Sequence, residues 1–250
     1  MSDLLRALGL LTILPANPRW DEKTPAGRAM AWYPLTGALI GILVAAVAFG
    51  LDRTGMWNRA PLLSAALTLA AWVVLTGALH LDGWADCCDA FFVPVDRARR
   101  LEIMKDPRLG SFGGVGLILL ILVKLGALSE VAGNPAIMIL TPALARWALV
   151  VAAAAFPLAK QKGMAFFFRQ SLGRREILIA TITATILLAL GWTRGGVALI
   201  ALPAAAALAM AAVSWLATRR LGGLTGDVYG AIIELGETAA LLVALLVVRN

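Results

Sequence analysis

Long uninterrupted apolar runs decide what this chain can become. "PLLSAALTLAAWVVLTGA", residues 61–78, contains no charged side chain, and similar runs recur along the whole sequence. Their apolar residues follow one another instead of alternating with a period of two, which separates them from the strands of a membrane barrel. In lipid no water is present to bond backbone N–H and C=O groups, so a span must be a helix or part of a closed barrel. Composition agrees: the chain is 60% hydrophobic and 15% charged, against about 45–50% and about 25% in soluble domains. The expected fold class is all-α, a polytopic membrane helix bundle of seven transmembrane helices at 29–51, 61–80, 113–133, 136–156, 177–193, 196–217 and 231–248. The opening "MSDLLRALGLLTILPANP" is interrupted by Asp3 and Arg6 and lacks a small-residue cleavage site. It reads as a short interfacial or re-entrant helix rather than a signal peptide. With short connections apart from 80–112 and 157–176, residues 1–250 are expected to form a single integral membrane domain.

The basic residues set the expected orientation. With the N-terminus and every second loop placed on one side, that side carries 16 Lys and Arg and the other carries 4, with Lys124 and Arg146 inside spans. Cytoplasmic loops carry the excess of Lys and Arg, so the N-terminus and loops 80–112, 157–176 and 218–230 are expected to be cytoplasmic and the C-terminus external. The net charge of +7 is then an orientation signal and an attraction for anionic lipid. It does not indicate nucleic acid, because no aromatic-basic module accompanies it.

Three stretches on that face carry chemistry. In "HLDGWADCCDAFF", Asp82, Asp86 and Asp89 stand at i, i+4 and i+7, one face of a helix. Like charges so spaced repel unless a cation lies among them, and hard oxygen donors suit Mg²⁺, which shares itself between carboxylates, water and substrate phosphates. The expected metal ligands are therefore Asp82, Asp86 and Asp89, with Asp227 as a fourth, and Gly83 would let an anionic substrate approach the backbone. His80, the only histidine, is a candidate catalytic base beside the acids. Cys87 and Cys88 are adjacent and read as small, semi-polar packing residues rather than a bridge or metal ligands. In "RRLEIMKDPRLGSFGG", Arg100, Lys105 and Arg108 suit phosphate groups, with Asp106 among them. In "LGGLTGDVYGAIIELGE", Gly222, Gly223 and Gly226 make a tight turn ahead of Asp227, with Thr225 beside it as a substrate-binding candidate. Glu234 and Glu237 fall inside a span. Arg146 there suits either substrate or an ion pair with one of these glutamates. Phe166, Phe167 and Phe168 read as an interfacial aromatic anchor.

"LHLDGWADCCDAFF", "RRLEIMKDPRLGSFGG" and "GGLTGDVYGAIIELGE" resemble the signature stretches of the cobalamin synthase family, the adenosylcobinamide-GDP ribazoletransferases. "LGLLTILP", "WYPLTGALIG", "TPALARWALV" and "FPLAKQKGM" extend the resemblance over nearly the whole chain. It implies a Mg²⁺-dependent enzyme of a bacterial or archaeal inner membrane. Such an enzyme joins alpha-ribazole, or its 5′-phosphate, to adenosylcobinamide-GDP, releasing GMP and forming adenosylcobalamin or its phosphate. The chain departs from its relatives at Cys87-Cys88, where Thr-Ala is common, and at Ala90, where Gly is usual. Partners left open are a second copy of the chain and other late cobalamin-pathway enzymes. Two other readings are weighed against this one. A CDP-alcohol-type phosphotransferase would show D-G-x-x-A-R, whereas this chain has D-G-x-A-D. A secondary transporter would place its polar site between repeats at mid-membrane, whereas these acids sit at one edge.

Overall fold

The computed structural model describes residues 2–16, 25–195 and 198–248, and all of its regular structure there is helical. The N-terminal helix α1 (Ser2–Leu11) leads through a 3-10 helix (Ala26–Trp32) into α2 (Tyr33–Arg53), followed by the short α3 (Met56–Arg59). Next come α4 (Pro61–Leu75), α5 (Leu79–Phe92), α6 (Arg97–Ile103), α7 (Ser111–Val131) and α8 (Pro135–Ala155). The short α9 (Met164–Arg169) precedes α10 (Arg174–Gly195), α11 (Ala198–Leu221) and α12 (Gly226–Val248). Among the described residues five helices are long and apolar enough to cross a membrane, and six if α4 and α5 count as one broken span. The chain is a multi-pass membrane helix bundle.

One expected span differs from what the structure contains. The segment expected at 61–80 stops at Leu75, and α5 leaves at 91° to α4. Gly77 (φ 61°) and Ala78 (φ 55°) take the left-handed conformation at the break, which is unfavourable for alanine. The backbone N–H of Ile13 bonds to the carbonyl of Leu75, freed by the break, at 2.9 Å, so the chain after α1 caps α4. The segment expected at 177–193 lies within α10 (Arg174–Gly195). Residues 196 and 197, where the next span was expected to start, lie outside the described residues.

Helix α8 is the axis of the bundle, with 78% of its most apolar stretch buried. Helix α2 lies against it through Gly37 and Gly41, where an added Cβ would fall onto the α8 backbone at Pro142–Ala143 and Met138–Ile139. Small residues four apart let two backbones approach, which replaces the hydrophobic drive that lipid cannot supply. One turn further along α8 lies a charged cluster. Arg146, on α8, pairs with Glu237 on α12. Lys124, on α7, bonds both Glu234 at 2.6 Å and Glu237 at 2.5 Å and stands 5.0 Å from the centre of the Trp72 ring. Two cations face two carboxylates, so formal charge cancels where an unpaired ion would be costly. Arg146 is fully buried in this cluster, so of its two expected readings the structure shows the ion pair with a glutamate, and it is not exposed to receive a substrate group.

Candidate active site

One end of the bundle gathers the three sequence-rich loops. The loop after α8 pairs with the turn before α12: Ala159 N–H donates to the Leu224 carbonyl at 2.9 Å, and Leu224 N–H to the Pro157 carbonyl at 2.8 Å. Gly223, at φ 150°, touches Pro157 and Leu158 so closely that a Cβ has no room, and Gly222, at φ 78°, leaves space for the Arg97 guanidinium. Arg97 in turn donates to the Ala159 carbonyl at 3.0 Å, tying α6 to the same corner. These contacts explain the glycines of "GGLTGD" as conditions for packing three loops at one point.

Helix α5 crosses α12 just below. A Cβ on Gly83 would stand 2.6 Å from the Asp227 carbonyl oxygen, and one on Gly230 would stand 3.2 Å from the His80 Cα. Gly83 therefore serves the close approach of α12, not that of an anionic substrate as its sequence context implied. The crossing brings Asp82 and Asp227 to the wall of one cavity, and Asp86 lies in the combined field of Asp227, Asp82 and Asp89. Thr225 positions Asp227: its hydroxyl stands 3.3 Å from an Asp227 carboxylate oxygen and accepts from the Val228 N–H at 3.3 Å. It acts on the acid rather than as a separate substrate ligand. Asp82 is exposed and Asp86 and Asp227 are half-buried, and none of the three is ion-paired among the described residues.

Asp89 does something else. Its carboxylate accepts from the Gly110 N–H and from the Gly113 N–H, both at 2.8 Å, and it is buried. It caps the N-terminus of α7, where free N–H groups and the helix dipole favour an anion. This corrects the expectation of a third metal ligand on the α5 face. Arg100 is corrected in the same way. It is buried, and its Nη1 donates to the carbonyl oxygens of Ala90 and Phe91, the latter at 2.9 Å. It closes the C-terminus of α5 instead of receiving phosphate. Arg108 forms a two-pronged pair with Asp106, at 2.9 and 2.6 Å, in an exposed loop. Those side-chain hydrogen bonds come first in pulling the Asp106 carboxyl down to about 2.

The cation beside the acids is Lys160, next to the bridge between Leu158 and Leu224 and in the field of Asp227, and Lys105, exposed on the loop after α6, lies in turn near Lys160. Burial, then the nearby charge of Lys105, lowers the pKa of Lys160, while Asp227 acts to raise it. Lys160, Arg97 and Tyr229 were not singled out from sequence for this site. "PLAKQKGM" and "GDVYG" carried the only signal, a basic residue and an aromatic two or three positions from loop glycines.

Among the described residues no three His, Cys, Asp or Glu side chains converge tightly enough to cage a metal ion. Mg²⁺ does not require that: one or two carboxylates, water and phosphate oxygens complete its shell. Asp82, Asp86 and Asp227 form an all-oxygen set without a paired cation, and such a set fits Mg²⁺ brought together with a phosphate-bearing substrate. Cys87 and Cys88 are free and buried, as expected of packing residues, and a Cβ on Gly116 of α7 would stand 2.5 Å from the Cys88 sulfur.

Residues 3–245 match the cobalamin-5-phosphate synthase family. The chain belongs to that family. It is 40% identical over 250 residues to the adenosylcobinamide-GDP ribazoletransferase of Pseudomonas paraeruginosa, covering 97% of each chain. The enzymes of the same name from Brevibacillus brevis, 34% identical over 97% of each chain, and Chlorobaculum tepidum, 39% identical over 98% of this chain and 96% of that one, are similar along their full length as well. No solved structure matches the chain. The match of a cobalamin-5-phosphate synthase runs from α1 into α12, so both the acids of α5 and the turn before α12 lie inside it.

Proposed function

We propose that the end of the bundle where α5 crosses α12 is where this protein works as an adenosylcobinamide-GDP ribazoletransferase. The activity itself follows from family membership and from full-length relatives of that name; it makes the protein a transferase of cobalamin biosynthesis. The observation that carries the assignment of the site is the meeting of Asp82, Asp86 and Asp227 without a paired cation, with Lys160 in the field of Asp227 and Lys105 near Lys160.

The reaction exchanges a phosphoanhydride bond for a phosphate ester. The hydroxyl oxygen of alpha-ribazole, or of its 5′-phosphate, attacks the phosphorus nearer the cobinamide. The P–O bond to the GMP half breaks, GMP leaves, and the hydroxyl proton passes to a carboxylate. Such transfers depend on positioning and charge neutralisation more than on covalent chemistry. Asp82, Asp86 and Asp227 would hold Mg²⁺, which when bound neutralises the pyrophosphate and stabilises the departing phosphate. Lys105 and Lys160 orient the pyrophosphate arms, and Arg108 can join them by leaving its exposed pair with Asp106. One carboxylate of the acid group receives the proton. His80 lies deeper, walled in beneath Gly83, and supports substrate from below.

The 16 Lys and Arg residues on the N-terminal side, against 4 on the other, support a cytoplasmic active site in a bacterial inner membrane, where the soluble nucleotide-bearing substrates are found. The direct experiment is GMP release by protein purified in detergent. It should require adenosylcobinamide-GDP, alpha-ribazole and a divalent cation together. Release without alpha-ribazole would make the protein a hydrolase and reject the reading.

A further inference from the structure

Beneath Asp82 and Asp227 lies a cavity of ≈ 220 Å³. Met30, Tyr33, Met164, Phe168 and Leu149 form most of its apolar wall, and Leu10 and Leu11 of α1 close one side. Phe168 is thus a cavity residue and not the outward anchor expected of the Phe166–Phe168 run, although Phe167 beside it is exposed. Three polar atoms on or behind this wall have no hydrogen-bond partner: Nδ1 and Nε2 of His80 and the hydroxyl of Tyr229. Both residues line the cavity and are more than nine-tenths buried, His80 at 3% and Tyr229 at 8% exposure. Buried polar groups in folded proteins are nearly always paired, so the Tyr229 hydroxyl, unpaired on an apolar cavity, and the lining His80, whose imidazole also lies in the field of Arg146, Glu237 and Lys124, point to a ligand that brings a partner.

We propose that this cavity seats the planar nitrogenous base of the acceptor, its ring among the methionines and aromatics and its nitrogen edge on His80 and Tyr229. The inference rests on the ribazoletransferase reading and assigns the acceptor's subsite within it. Size selects a ring rather than a whole substrate, since pockets for drug-sized ligands run about 300–1,000 Å³. Among the described residues no Lys or Arg lines the cavity, which disfavours a phosphate group lodged inside it. An acyl chain would fill the space but leave the nitrogens and the hydroxyl unpaired. Guanine carries donors and acceptors around most of its rim, more than His80 and Tyr229 can meet. The ribosylated benzimidazole of the acceptor has one free ring nitrogen, able to accept one hydrogen bond from Tyr229 or His80, and an otherwise apolar outline, which matches a largely apolar wall with few polar atoms. Methionine sulfurs and aromatic faces suit such a ring. Seated there, the base would place the attached ribose at the cavity mouth, beside Asp82 and Asp227, where its hydroxyl must react.

The test uses two variants of the full chain in detergent, with alpha-ribazole and adenosylcobinamide-GDP varied separately. Tyr229→Phe removes one hydroxyl and keeps the ring, and Ile233→Phe narrows the cavity. Each should raise the KM for alpha-ribazole about tenfold, the scale of one lost hydrogen bond or a disturbed fit, with the KM for adenosylcobinamide-GDP unchanged. Free 5,6-dimethylbenzimidazole should compete with alpha-ribazole on the wild type and compete less well on both variants. A rise confined to the KM for adenosylcobinamide-GDP would give the cavity to guanine and overturn the proposal. Unchanged constants for both substrates, with rates that follow the acyl composition of added lipid, would give it to a lipid chain and overturn it too. If one variant does not fold, the other and the competition by the free base still decide. Wild-type protein that releases no GMP would reject the ribazoletransferase reading itself, whereas wild-type release with unchanged acceptor constants rejects only this assignment.

Discussion

Asp86 and Asp89 are three residues apart on one helix and do different work. Asp86 shares a charged neighbourhood with Asp82 and Asp227, whereas Asp89 holds two N–H groups at the start of α7. Asp89→Asn should therefore lower the thermal stability of the detergent-solubilised protein, by about 1–3 kcal/mol for a buried N–H left without its acceptor. The activity that remains should keep the wild-type dependence on Mg²⁺, measured by GMP release across a metal titration. A weakened metal dependence would return Asp89 to the ligand set. The sequence made the i, i+4 pair Asp82 and Asp86 legible, because like charges on one helix face need a reason. It could not separate Asp89 from them, because a carboxylate bonded to backbone leaves no trace in residue type. Arg100 was misread for the same cause, and for Arg146 the sequence left substrate and a glutamate pair open together. A guanidinium that closes a helix end or pairs with Glu237 looks in sequence like one that waits for phosphate.

Glycine contacts at helix crossings decide where the elements sit. Gly83 lets α5 lie directly on the start of α12, and Asp82 and Asp227 share a cavity for that reason. Gly83→Ala should push the two helices apart, at a cost of about 1–3 kcal/mol for overpacking, and should lower turnover by more than the loss of folded protein explains. Turnover per folded molecule, with folding followed by size exclusion, checks this, and an unchanged value would mean that the crossing does not position the acids. Gly37 and Gly41 do the corresponding work between α2 and α8, where Gly41→Leu should prevent assembly of the bundle. Helix existence was readable from apolar runs. The break after Leu75 was not, since Thr76-Gly77-Ala78 continues an apolar run and the bend depends on Ile13 reaching the Leu75 carbonyl. The partner faces of Gly37 and Gly83 likewise exist only once α8 and α12 are in place.

At the scale of the whole molecule, a membrane bundle with an internally neutralised core carries its chemistry at one end. Glu237→Gln leaves Glu234 with Lys124 but strands the Arg146 cation in the core, and should destabilise the fold by about 3–5 kcal/mol, with the KM for both substrates unchanged in the folded fraction. A shifted substrate KM would connect the buried cluster to binding. The 16-to-4 distribution of Lys and Arg predicts that a reporter fused after Asn250 behaves as external to the cytoplasm, and cytoplasmic behaviour would reverse the assigned orientation. The central claim is that Asp82, Asp86 and Asp227 together hold the metal and pyrophosphate. Its most direct measurement is GMP release against Mg²⁺ concentration for the wild type and for Asp82→Asn, Asp86→Asn and Asp227→Asn. Each variant should lose turnover by on the order of a hundredfold or more and recover part of it at raised Mg²⁺, because a weakened metal site fills at higher concentration. Three variants with wild-type rates and wild-type metal dependence would contradict the account.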